Sequence, residues 1–179
     1  MQVMSRQRGF SLIEVLVAVL VFSIGLIGLA GLMVMATRSN HAAYLRTQVI
    51  FLASNMANRM SANPRGVWDL AYNGTFPPTT PTTQVCSSAS PCTADLLAVY
   101  DLQMWSSQLK TFLPNPVATI TCSNAGIGYT PTTAQLNLRP PYGGNCTMTI
   151  QWSEISAGSQ TTQSTQGAPL STFAWEFQP

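Results

Sequence analysis

Charge is scarce in this sequence. Of 179 residues, 8 are Lys or Arg and 6 are Asp or Glu. Two of the basic residues, Arg6 and Arg8, stand in the first nine positions, and beyond them the two signs balance. No basic run is left to match a phosphate backbone, which argues against nucleic acid as a partner. His41 is the only histidine, and the four cysteines form no CxxC. A zinc site therefore fits poorly, and no metal or cofactor is expected. G-x-S-x-G, phosphate-binding-loop and H-E-x-x-H patterns are absent. Asp69, Asp95, Asp101, Glu154 and Glu176 read as solvated surface charges rather than as a hydrolytic pair. His41, among polar neighbours, reads as a surface or interface side chain. No catalytic residue is expected, and the chain does not read as an enzyme.

Proline is missing from Phe10 to Ala62. That stretch divides into two halves. From Val15 to Ala36 come 22 residues without a charge, enough to span a bilayer at about 20 residues per crossing. From Thr37 the pattern turns amphipathic. Leu45, Val49, Leu52, Met56 and Met60 recur at helical spacing as one apolar stripe. Asn63-Pro64 supplies a stop. One continuous helix over residues 10–62 follows, roughly 80 Å long at 1.5 Å per residue. No compact domain of this size can bury such a length, so the first half must be covered by something else. Gly25, Gly28 and Gly31 lie in that half. They suit close helix packing in a membrane or a soft spot in the helix.

The remainder is rich in Thr, Ser, Asn and Gln. The segment after Pro64 reads as loop, including the Pro/Thr tract TFPPTTPTTQ at 75–84. Asn73-Gly74-Thr75 matches an N-glycosylation acceptor, a match frequent by chance. A second helix is predicted over 94–113, with Ala98, Leu102, Trp105, Leu109 and Phe112 on one face. Thr93 suits its cap, and Asp95 and Lys110 suit its dipole. Strands are predicted over 117–122, 146–152 and 172–177, with a weaker one over 134–139. Trp68, Trp105, Trp152 and Trp175 read as core. The fold class is α+β: a long N-terminal helix packed against a C-terminal antiparallel sheet, with one extra short helix. Cys86, Cys92, Cys122 and Cys146 all follow the apolar segment, which favours disulfides in an oxidising compartment. Three pairings are open. Cys86–Cys92, a small loop ring, and Cys122–Cys146, across neighbouring strands, form the favoured one.

The most specific signal is RGFSLIEVLVAVLVFSIG, beginning at Arg8. It resembles the leader and N-terminal segment of type IV pilins and pseudopilins: a basic leader ending in Gly9, then Phe10, then Glu14 and a long apolar helix. Further along, IGLIGLAGL and MANRMSANP are similar to the PilV subfamily of minor pilins, the type IV pilus modification proteins. The resemblance implies residues 1–9 as leader, 10–36 as transmembrane and filament-core half-helix, 37–63 as amphipathic half-helix and 64–179 as globular domain. It implies cleavage between Gly9 and Phe10 by a prepilin peptidase, with N-methylation of Phe10. Arg6 and Arg8 would hold the leader on the cytoplasmic side. Glu14 would pair with the new amine of a neighbouring subunit, since an unpaired carboxylate at membrane depth costs about 3 kcal/mol or more. The implied protein is a minor pilin with a periplasmic globular domain, held in the inner membrane before assembly and in the surface pilus afterwards. Its implied partners are other minor pilins, the major pilin and a tip adhesin; its implied role is priming of assembly, adhesion and twitching motility. A minor pseudopilin of type II secretion and a membrane-anchored binding protein or hydrolase that never polymerises are the competing readings. Major pilins often carry a proline in the membrane half of the helix, and this chain has none there.

Overall fold

The computed structural model describes residues 9–80, 83–154 and 170–179. Arg6 and Arg8 lie outside these residues, as does most of the Gly/Ser/Thr-rich stretch ahead of Leu170. Helix α1 runs from Leu12 to Ala62, 51 residues. Its stripe behaves as the spacing requires: Leu45, Val49, Leu52, Met56 and Met60 are all buried. No residue of α1 before Leu45 is buried.

Two helices were not expected. Pro64 does end α1, but it also starts α2 (Pro64–Trp68), where a loop is predicted. Proline suits a first helical position because it lacks only an N–H that would go unbonded there. Asn63 caps α2, its Oδ1 accepting from the Gly66 N–H at 3.4 Å. The approach is close enough that a Cβ on Gly66 would stand 2.5 Å from Asn63 Nδ2. Over 134–139 the weak strand is replaced by α4 (Thr133–Leu136). Here Thr132 and Gln135 form a reciprocal capping box, a local arrangement that starts a helical turn. Arg139 at a φ of 53°, followed by two prolines, then ends any extended run. The predicted second helix is α3, Ala94–Phe112, capped by Thr93.

The sheet is a four-stranded antiparallel array ordered β1-β2-β3-β4. The strands are β1 (Gly74–Phe76), β2 (Val117–Cys122), β3 (Cys146–Ser153) and β4 (Leu170–Phe177). The prolines of 75–84 predict irregular chain, yet β1 is a short edge strand on β2. It is reinforced by Asn73, whose amide donates to the Cys122 carbonyl at 3.0 Å and accepts from the Cys122 N–H at 2.8 Å. Alternation decides the two faces. Ala118, Ile120, Cys122, Cys146, Met148, Ile150 and Trp152 are buried, while Thr119 pairs with Thr149 and Thr121 with Thr147 on the other face.

One apolar core joins the α1 stripe, the inner face of α3 and the inner sheet face. Trp105 lies fully buried in it, its ring edge-on to Phe76 with centroids 6.1 Å apart. Trp68 and Trp152 are buried too, whereas Trp175 is only half-buried and stacks on Phe177 at 4.7 Å. Phe112, placed on the buried face of α3 by its spacing, is exposed; Leu113 just beyond the helix fills the core instead. Disulfides join Cys86 to Cys92 and Cys122 to Cys146, the latter between residues directly opposite in the β2–β3 ladder.

Candidate assembly site

The functional candidates concentrate at the start of α1. Gly9, Phe10 and Ser11 precede the helix, and Phe10 is 84% exposed. Ser11 is extended at φ −76°, ψ 140°, and its carbonyl accepts from the Glu14 N–H at 3.0 Å. Glu14 thus stands in the first turn, where the positive end of the helix dipole favours a carboxylate. It is exposed and makes no ion pair among the described residues. Phe10 is four positions away, with its nitrogen held in the peptide bond to Gly9. Only cleavage of that bond would make it a cation.

Behind Glu14 the helix is an uncovered apolar rod. Leu12 to Ala36 rises roughly 37 Å, more than the ~30 Å of a bilayer's hydrocarbon. Every residue of it is exposed. Nothing among the described residues requires Gly25, Gly28 and Gly31 to be small, since a Cβ on any of them would meet no described atom within 4 Å. The segment is long and apolar enough to cross a membrane.

Residues 4–30 match the family model of the prokaryotic N-terminal methylation motif. No curated protein and no solved structure matches the chain. The motif takes in Gly9, Phe10 and Glu14 and ends within the apolar half of α1. It supports a type IV pilin-like protein, of a pilus or a pseudopilus, and agrees with membrane anchoring through α1 ahead of a globular domain.

Far along α1 from Glu14, its amphipathic half is tied to the globular head, formed with α3 and the sheet, by charged contacts. Asp101 and Glu154, for which residue type predicts a solvated surface place, are both buried. Arg59 on α1 donates from Nη1 to Asp101 Oδ1 at 2.9 Å. Tyr72 donates its O–H to Asp101 Oδ2 at 2.9 Å and accepts from Asn63 Nδ2 at 3.1 Å. Burial first, and the Asp101 charge with it, holds the Tyr72 hydroxyl well above its ordinary range, against the opposing bond from Asn63. Glu154 accepts from the Ser171 hydroxyl at 2.6 Å and faces Arg46 of α1 at 3.5 Å. These links tie α1 laterally to α3 and to the ends of β3 and β4. A signal for them was present. Asp101 falls between Ala98 and Leu102 in the buried phase of α3, and Glu154 prolongs the inward alternation of Met148, Ile150 and Trp152. His41 is exposed, as read.

Proposed function

We propose that this chain is a minor pilin of a type IV pilus. A prepilin peptidase cleaves it after Gly9, Phe10 is N-methylated, and the product enters a priming or tip complex that supports pilus assembly, adhesion and twitching motility. The observation that carries the proposal is the junction itself: Gly9-Phe10 followed by Glu14 in the first turn of a bare apolar helix. Before assembly the lipid covers Leu12–Ala36 and Glu14 sits near the headgroups. In the filament the helices of other minor pilins and of the major pilin replace the lipid. Each Glu14 then meets the amine of a neighbouring Phe10, an attraction strengthened by the low dielectric of the bundle. A second arrangement, with the same helix in a type II secretion pseudopilus, shares the junction. IGLIGLAGL and MANRMSANP favour the pilus. The periplasmic head carries the disulfides, which suits an oxidising compartment.

The test is Glu14→Ala in cells. Cleavage should persist, while the amount of chain recovered in sheared pili falls at least about tenfold, in line with an unpaired charge costing ~1.4 kcal/mol or more. Unchanged recovery in pili contradicts the pairing. Chain absent from pili in both forms, with secretion lost on deletion, assigns it to the pseudopilus.

A further inference from the structure

A groove lies along α3, beside the turn that follows β1. Val99 and Leu102 on α3 face Phe76 and Pro78 across a volume of about 330 Å³. Ser106 and Lys110 continue the same helical wall. The lining is mainly apolar, and the volume falls at the small end of the range of small-molecule sites, ~300–1,000 Å³. From Val99 to Lys110 the wall is roughly 16 Å long.

Ser106 marks the groove as unfinished. Helical hydroxyls in this chain commonly donate back one turn: Ser23 to Val19, Thr37 to Met33, Thr47 to Ala43, Ser61 to Ala57 and Thr111 to Ser107. Ser106 does not. It is 7% exposed, and its Oγ has no hydrogen-bond partner among the described residues. A buried hydroxyl without a partner is costly, so a group entering the groove would gain by accepting from it. Lys110 lies one helical turn further on, on the same face. It is exposed and makes no ion pair among the described residues. One hydroxyl donor and one ammonium, a turn apart at the end of an apolar trough, are suited to a single anionic group joined to an apolar body.

We propose that this groove binds a small amphiphile: an acyl chain bearing a carboxylate. The chain lies against Phe76, Pro78, Val99 and Leu102, and the carboxylate accepts from Ser106 Oγ and pairs with Lys110 Nζ. This site is separate from the assembly reading and does not depend on it, because none of its residues lies on α1.

The test uses the full chain in nanodiscs of phosphatidylcholine and, as probe, decanoic acid carrying a photoreactive diazirine, with labelled positions mapped by peptide mass spectrometry. The expected result is saturable labelling of Ala94–Phe112 or of the Phe76–Pro78 turn. Unlabelled decanoate competes, and decanol competes roughly tenfold less well, the loss of one charge pair with its hydrogen bond. Lys110→Glu removes the preference for acid over alcohol. Val99→Trp, which fills the trough, abolishes the labelling with the thermal midpoint unchanged. Glu14→Ala leaves the labelling intact, which separates this site from the assembly junction. Labelling that is unsaturable or confined to Leu12–Ala36 overturns the proposal, as does full labelling of Val99→Trp. Protection of Val99–Lys110 that arises only on adding other pilin-like subunits also overturns it, because the groove would then be a protein contact.

Discussion

The indole N–H of Trp105 donates to the main-chain carbonyl of Leu52 at 2.9 Å, across 53 positions of sequence. The bond joins the middle of α3 to the middle of the amphipathic half of α1. Both residues are buried completely, so the contact fixes the phase of α1 against the head and hence the face that the free half presents. Trp105→Phe keeps most of the ring and loses the donor, at an expected cost of about 1–2 kcal/mol. Trp105→Ala opens a cavity where the three walls of the core meet, at about 3–5 kcal/mol. Thermal unfolding of the full chain in detergent should rank the two in that order. A loss under about 1 kcal/mol for the alanine variant would contradict the placement.

Arg59 and Asp101 are the charged counterpart of that joint. Replacing Arg59 with Met leaves a buried carboxylate with Tyr72 as its remaining donor. Breaking a fully buried pair costs about 3–5 kcal/mol. Arg59 keeps 28% of its side-chain surface in water, so about 2–3 kcal/mol is expected here. Arg65→Ala, at the more exposed Asp69 pair 3.7 Å long, should cost under about 1 kcal/mol. Denaturant titration of both variants tests the contrast, and equal losses would contradict it.

Tyr72 gives the head an alkaline limit. Its neutral form is favoured in the fold, mainly by burial, and its folded-state pKa stands above the ordinary value of 10.0. The unfolded chain therefore releases this proton first as pH rises. The stabilising contribution is complete below pH 10.0 and declines above it. Tyr72→Phe should flatten that part of the profile while lowering stability at neutral pH through loss of the bond to Asp101. Melting curves between neutral pH and pH 11 decide it, about one unit past the ordinary tyrosine value. An unchanged alkaline slope in Tyr72→Phe would contradict the assignment.

Regular spacing made most of the fold legible in the sequence. The stripe from Leu45 to Met60, the proline-free run and the alternation of β3 are periodic over many residues, and each element stands where its period puts it. Short elements were lost because their causes are local or distant. α4 follows from one capping box, α2 from one asparagine and one proline, and β1 from a ladder with β2 more than 40 positions away. For Asp101 and Glu154 residue type points to solvent, whereas their positions in the period point inward, and both are buried. At the assembly junction, the order Gly9, Phe10, Glu14 was legible as a motif. The structure adds that Glu14 occupies the first turn of a helix whose Leu12–Ala36 half is left uncovered by the described residues. The groove beside α3 was not legible, because it depends on where the turn after β1 folds back.

Pairing through Glu14 requires a new amine at Phe10. Mass spectrometry of the mature chain, recovered from membranes and from sheared pili of the native host, tests it most directly. The expected N-terminal peptide begins at Phe10 and is heavier than the unmodified peptide by CH2, the net gain of one N-methyl group. An N-terminus at Met1 in both fractions would contradict it, since Glu14 would then have no partner to meet.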